Sequence, residues 1–112
     1  MKIYCDSSTK EACLVVEGQK PLRFSYKNPV TNNVGEYQAI ILALRIIHNQ
    51  KLKQVELLTD SQLVVEQVNG SWQCRQPHLL PLRDKVRELL AQENATLAWI
   101  PRGQNLAGMV LG

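Results

Sequence analysis

Three short segments at the start of the chain carry apolar residues in the manner of β-strands. They are Lys2 to Cys5, Cys13 to Glu17, and Leu22 to Lys27, where Leu22, Phe24 and Tyr26 alternate with Arg23, Ser25 and Lys27. Breaks at Ser7-Ser8-Thr9 and at Gly18 to Pro21 separate them and predict an antiparallel meander. After Asn28-Pro29 the period changes. From Gly35 to His48 the apolar positions run almost all round a helical wheel, which predicts a helix packed on more than one side. Val55 to Thr59 predicts a buried strand. A second helix begins at Ser61, directly after Asp60, and Asn69-Gly70 ends it. From Pro77, residues Leu79, Leu82, Val86 and Leu89 or Leu90 recur at helical spacing with charged residues between them, predicting a third, amphipathic helix. Thr96 to Ile100 predicts a fifth strand, stopped by Pro101, and Asn105 to Gly112 has room for only a turn or two of helix. The order βββαβααβ with a short tail implies an α/β fold, a mixed sheet with helices against it.

Composition narrows this picture. The 112 residues amount to a single domain, 1–112, and 45% hydrophobic with 21% charged residues is ordinary globular composition that argues against disorder. The formal net charge of +3 is compatible with a nucleic-acid partner, but an ordinary solubilising charge accounts for it equally well. Cys5, Cys13 and Cys74 are odd in number and lack C-x-x-C spacing, so neither a disulfide framework nor a zinc ribbon is indicated, and reduced thiols are expected. The longest apolar stretch, Ala39 to Leu44, is too short to cross a membrane, and the charged start has no leader-like apolar run. A cytoplasmic protein without a membrane partner is expected. There is no G-x-S-x-G elbow, no phosphate-cradling glycine loop, and no evident partner for His48 or His78.

Three carboxylates stand at the edges of elements: Asp6 at the end of the first strand, Glu36 in the first turn of the central helix, and Asp60 at the end of the fourth strand. If the first and fourth strands are parallel neighbours, Asp6 and Asp60 project from the same end of the sheet, within reach of Glu36. Clustered carboxylates repel unless cations neutralise them, and hard Mg²⁺ or Mn²⁺ takes oxygen ligands of this kind. Metal-assisted phosphoryl chemistry follows. The structural alternative is that an acid in a first helical turn complements the helix dipole and an Asp before a helix caps it.

The runs IYCDSS, TNNVGEYQAIILAL, LLTDSQLVVEQVNGSW and WIPRGQNLAG follow one another as in type 1 ribonuclease H domains, over nearly the whole chain. The chain resembles the short prokaryotic form of that family, without its basic protrusion. The resemblance implies a ribonuclease H-like fold, a five-stranded mixed sheet flanked by helices with a shortened C-terminal helix. It also implies hydrolysis of the RNA strand of an RNA/DNA hybrid, with no protein partner indicated. In the family two Mg²⁺ ions, replaceable by Mn²⁺, lie about 4 Å apart and serve the attacking water and the leaving 3′ oxygen. Asp6, Glu36 and Asp60 match the metal ligands and catalytic acids. Asn32 and Asn33 resemble residues that read 2′-hydroxyls and base edges in the minor groove, where RNA differs from DNA. Thr31 resembles a DNA-phosphate contact, and Arg102 a basic residue that handles phosphate. Trp72 is either a sugar contact or a partly buried core residue.

Three departures from the family pattern bear on activity. Glycine stands at Gly108, in Asn105-Leu106-Ala107-Gly108, where the family has a fourth carboxylate that holds the water-activating ion. Its absence is expected to weaken nucleophile formation more than substrate binding, and a hybrid-binding module without catalysis is the competing expectation. The glycine-rich stretch after the first Asp is replaced by Ser7-Ser8-Thr9-Lys10-Glu11, and the mobile loop histidine of some members has no counterpart.

Overall fold

The computed structural model describes residues 1–112. Its elements are β1 (Lys2–Ser7), β2 (Glu11–Val16), β3 (Leu22–Ser25), α1 (Asn32–Gln50), β4 (Glu56–Thr59), α2 (Gln62–Asn69), α3 (Leu80–Glu93), β5 (Thr96–Trp99), a 3₁₀ turn (Arg102–Gln104) and α4 (Leu106–Leu111). The five strands form one sheet in the order β3-β2-β1-β4-β5. β1, β2 and β3 pair antiparallel, whereas β4 pairs parallel with both β1 and β5. This is the mixed sheet that the order of elements predicts.

Element ends depart from the hydrophobic pattern. β1 runs on through Asp6 and Ser7, because pairing of Asp6 with Cys13 and Ser7 with Ala12 holds the backbone extended whatever the side chains. α1 begins at Asn32 rather than Gly35, since Thr31 Oγ1 accepts from the Val34 amide at 3.3 Å and caps the helix there. Glu36 therefore lies beyond the first turn, not within it as expected. An acid's preference for the helix dipole no longer accounts for it.

Strand alternation sorts the sheet into two faces. Ile3, Cys5, Leu14, Val16 and Leu57 meet Tyr37, Ile40, Leu44 and Ile47 of α1 and Val64 and Val86 of α2 and α3 in the main core. α1 is apolar nearly all round because it packs on both the sheet and α3. Tyr37 and Gln67 join α1 to α2 through a buried hydrogen bond of 2.7 Å. Cys13, Leu58 and Ala107 are buried outside that core, on the opposite face, where α4 packs on β1 and β2.

One contact sets the approach of α1 to the sheet. A β-carbon on Gly35 would overlap Ser7 Oγ and stand 3.2 Å from the Ser8 carbonyl oxygen. Glycine at this position lets the start of α1 lie directly against the end of β1.

Candidate active site

The parallel register aligns Cys5 with Thr59, so the next residues, Asp6 and Asp60, emerge side by side at one end of the sheet. Glu36, one residue beyond the Gly35 contact, reaches the same end from α1. All three carboxylates are partly buried and line a cleft of about 300 Å³ together with Ser7, Asn32, Asn33, Ser61 and Arg102. No apolar side chain lines this cleft. Larger hollows lie elsewhere, but the one between the ends of α1 and α3 has no cluster of carboxylates.

Asp60 does not cap α2. Ser61 does, its Oγ accepting from the Val64 amide at 3.4 Å, which leaves the Asp60 carboxylate free for the cleft. Two side chains hold Asp60 in place. Trp99 Nε1 donates to its carbonyl oxygen at 3.2 Å, and Asn105 Nδ2 donates to its Oδ2 at 3.1 Å. Asn105 is fully buried and uses all its polar atoms: Nδ2 also donates to the Cys5 carbonyl at 2.9 Å, and Oδ1 accepts from the Ala107 amide at 3.1 Å to cap α4. One side chain thus joins β1, Asp60 and the start of α4.

Burial and mutual repulsion act on the acids of the cleft. Burial, followed by the charges of Asp6 and Asp60, raises Glu36 from 4.5 to about 9. Burial and the Asp60 charge also raise Asp6, against the opposing effects of the Ser7 amide, Glu36 and Arg102. Of the two acids whose pKa is raised, Glu36 is the more buried and keeps its proton to the higher pH. Once ionised, Glu36 Oε2 is a buried oxygen with no hydrogen-bond donor. None of the three acids is in a salt bridge.

A divalent cation fits this donor set. The ligands are hard carboxylate oxygens, one of them an orphaned buried atom, and like charges here require neutralisation. The three carboxylates line one cleft and are the groups that would hold such an ion there.

Gly108 faces the acids. A β-carbon there would stand 3.2 Å from Asp6 Oδ2 and 3.7 Å from Asp60 Oδ2. A carboxylate at this position would project toward both acids, where the family resemblance implies a fourth one. Asn32 and Asn33 are exposed in the first turn of α1 at the cleft rim, and Arg102, in the 3₁₀ turn, is also exposed there. Thr31 lies outside the lining and serves as the cap of α1. Trp72 is 46% exposed and lies outside the lining of the cleft.

Asn105, Ser61 and Trp99 enter the site without having been singled out for a local role in the sequence. An Asn before a short helix and a Ser after a strand-ending Asp are N-cap signals and could have drawn attention. The tie from Asn105 to Asp60 spans 45 residues and has no local signal.

Comparison with known proteins agrees with this fold. A family model described as reverse transcriptase-like matches residues 7–111. Ribonuclease HI of Halobacterium salinarum is 38% identical over 76 residues, which are 67% of this chain and 38% of that protein. The bifunctional protein Rv2228c of Mycobacterium tuberculosis is 37% identical over 76 residues, again 67% of this chain but 21% of that protein. The chain therefore spans well under half the length of these relatives. Among solved structures, RNase H1 from Halobacterium salinarum NRC-1 has a TM-score of 0.84 at 29% identity, covering 98% of this chain and 92% of that one. LC11-RNase H1 in complex with an RNA/DNA hybrid has a TM-score of 0.76 at 26% identity, with 99% of each chain covered. The five-stranded sheet and its helices are a ribonuclease H-like fold, and the chain belongs to the reverse transcriptase-like family as a ribonuclease HI-like protein.

Proposed function

We propose that this chain hydrolyses the RNA strand of RNA/DNA hybrids, at a rate limited by glycine at position 108. The observation that carries the reading is the convergence of Asp6, Glu36 and Asp60 in one polar cleft rimmed by Asn32, Asn33 and Arg102. The family to which the chain belongs and the hybrid held by the structurally similar LC11-RNase H1 support it. Asp6, Glu36 and Asp60 would hold Mg²⁺, two ions with substrate in place, and Mn²⁺ can substitute. When bound, these ions supply Lewis acidity toward the attacking water and the leaving 3′ oxygen.

The chain's own residues do the rest. Asn105 orients the Asp60 carboxylate, and Asp6, which is influenced by both Glu36 and Asp60, would hold the ions together with them. Asn32 and Asn33 present amides that can donate to and accept from 2′-hydroxyls, which duplex DNA lacks. Arg102, near enough to Asp6 to lower its pKa, offers a guanidinium to a phosphate in the cleft. Thr31 can contact a DNA phosphate only while also capping α1. The absence of a carboxylate at Gly108 removes one negative ligand while leaving the nucleic-acid contacts in place. Three buried, unpaired cysteines suit a reducing compartment, in keeping with a cytoplasmic location.

The test is cleavage of end-labelled substrates in Mg²⁺ and in Mn²⁺. RNA in a hybrid should be cut, giving 5′-phosphate and 3′-hydroxyl ends, while single-stranded RNA and duplex DNA are spared. Hybrid binding without cleavage in either ion, at high protein concentration, would establish a binding module instead.

A further inference from the structure

Tyr26 follows β3 and is half-buried, with its amide donating to the Lys10 carbonyl at 2.9 Å. Its hydroxyl lies 2.7 Å from Ser7 Oγ and donates to the Gly35 carbonyl at 3.2 Å. Ser7 Oγ also reaches the Ser8 carbonyl at 2.7 Å and the Glu11 carbonyl at 3.2 Å. Two hydroxyl protons are available. With Tyr26 donating to the Gly35 carbonyl, Ser7 donates to the Tyr26 hydroxyl, and the two bonds link β1 to α1 through Tyr26.

The two residues bridged are the chain neighbours of two acids, since Ser7 follows Asp6 and Gly35 precedes Glu36. The Ser7 amide also lies close enough to both carboxylates to favour their charged forms. At this junction α1 and β1 touch through Gly35 and Ser7, with no space for a β-carbon on Gly35. Hydrophobic packing fixes α1 farther along its length. At the cleft end, the chain Ser7–Tyr26–Gly35 ties strand to helix, beside the backbone bond from the Val30 amide to the Thr9 carbonyl at 2.9 Å.

We propose that Tyr26 is a positioning residue that, through Ser7 and Gly35, sets the spacing of Asp6 and Glu36 for divalent-ion binding. This rests on the reading of the cleft as an ion-dependent nuclease site. Tyr26 touches neither ion nor substrate. It holds β1 and α1 so that the two carboxylates are presented together, and groups of this kind typically change metal affinity by about 10- to 100-fold when removed.

Tyr26→Phe keeps the ring and deletes the hydroxyl, and Ser7→Ala deletes the other half of the pair. Mn²⁺ binding by isothermal titration, without nucleic acid, is the direct readout. Both variants should bind Mn²⁺ about tenfold more weakly than the parent, and the double variant no more weakly than the weaker single, because one bond joins the two. In hybrid cleavage, the half-saturating Mg²⁺ concentration should rise while the KM for hybrid at saturating Mg²⁺ stays unchanged. If Tyr26→Phe melts at lower temperature but binds Mn²⁺ as the parent does, its role is structural and the proposal is overturned. Additive losses in the double variant would also overturn it. Failure of the parent chain itself to bind Mn²⁺ would instead sink the ion-dependent reading on which the proposal rests.

Discussion

Glu36 owes its raised pKa to burial first and then to the negative charges of Asp6 and Asp60, so its protonation is tied to the ions the site holds. In chelator-treated protein the folded state keeps this proton from 4.5 up to about 9, whereas the unfolded state releases it near the ordinary value. The folded state therefore binds more protons across that window, and its stability should fall as pH rises through it. Added Mg²⁺ removes the repulsion and should raise Tm more at pH 8 than at pH 6, as thermal melts with and without the ion will show. An equal increment at both pH values would contradict the placement of Glu36 among the ion ligands. Gly108 acts on the same balance. Gly108→Asp should lower Tm in chelator, increase the stabilisation by Mn²⁺, and raise hybrid turnover markedly with little change in hybrid affinity. Unchanged turnover would mean that a carboxylate at this position does not serve the reaction. The three acids were legible in the sequence because each lies near an element boundary and within a family motif. Tyr26 was legible only as an apolar member of an alternating strand, and Asn105 only as part of a motif. The roles of their polar atoms depend on partners distant in sequence.

Elements with a strong period were read well: α1 from its all-round apolar positions, and α3 from its leucine and valine spacing. Their ends were not. Asp6 and Ser7 are polar yet lie in β1, because a ladder is made by backbone groups and the buried Ser7 hydroxyl finds hydrogen-bond partners. The start of α1 was displaced by three residues because Thr31, rather than the first apolar position, supplies the cap. That displacement puts Asn32 and Asn33 inside the helix at the cleft rim. The close approach of α1 to β1 is the element-level feature with the least tolerance. Gly35→Ala forces the helix away from Ser7 and should destabilise the fold by about 1–3 kcal/mol in urea titration. It should also weaken Mn²⁺ binding, because it moves Glu36 relative to Asp6. A variant with unaltered stability would show that this junction relaxes freely.

At the scale of the molecule, the order of elements already implied a mixed sheet, and the parallel β1–β4 pair brings two acids distant in sequence to one end of it. The net charge of +3 concealed this separation, since it adds a locally acidic cleft to a more basic remainder. What the order of elements could not convey is how α4 returns across the second face to place Gly108 against Asp6 and Asp60. The account makes one claim above all, that this cleft cuts RNA paired with DNA. The direct measurement is the rate of RNA-strand cleavage in a labelled RNA/DNA hybrid with Mg²⁺ or Mn²⁺, for the parent chain beside Asp60→Asn. The parent should cut the RNA strand in an ion-dependent manner, and Asp60→Asn should lose that activity while remaining folded and bound to hybrid. Equal cleavage by the two proteins, or none by the parent in either ion, would contradict it.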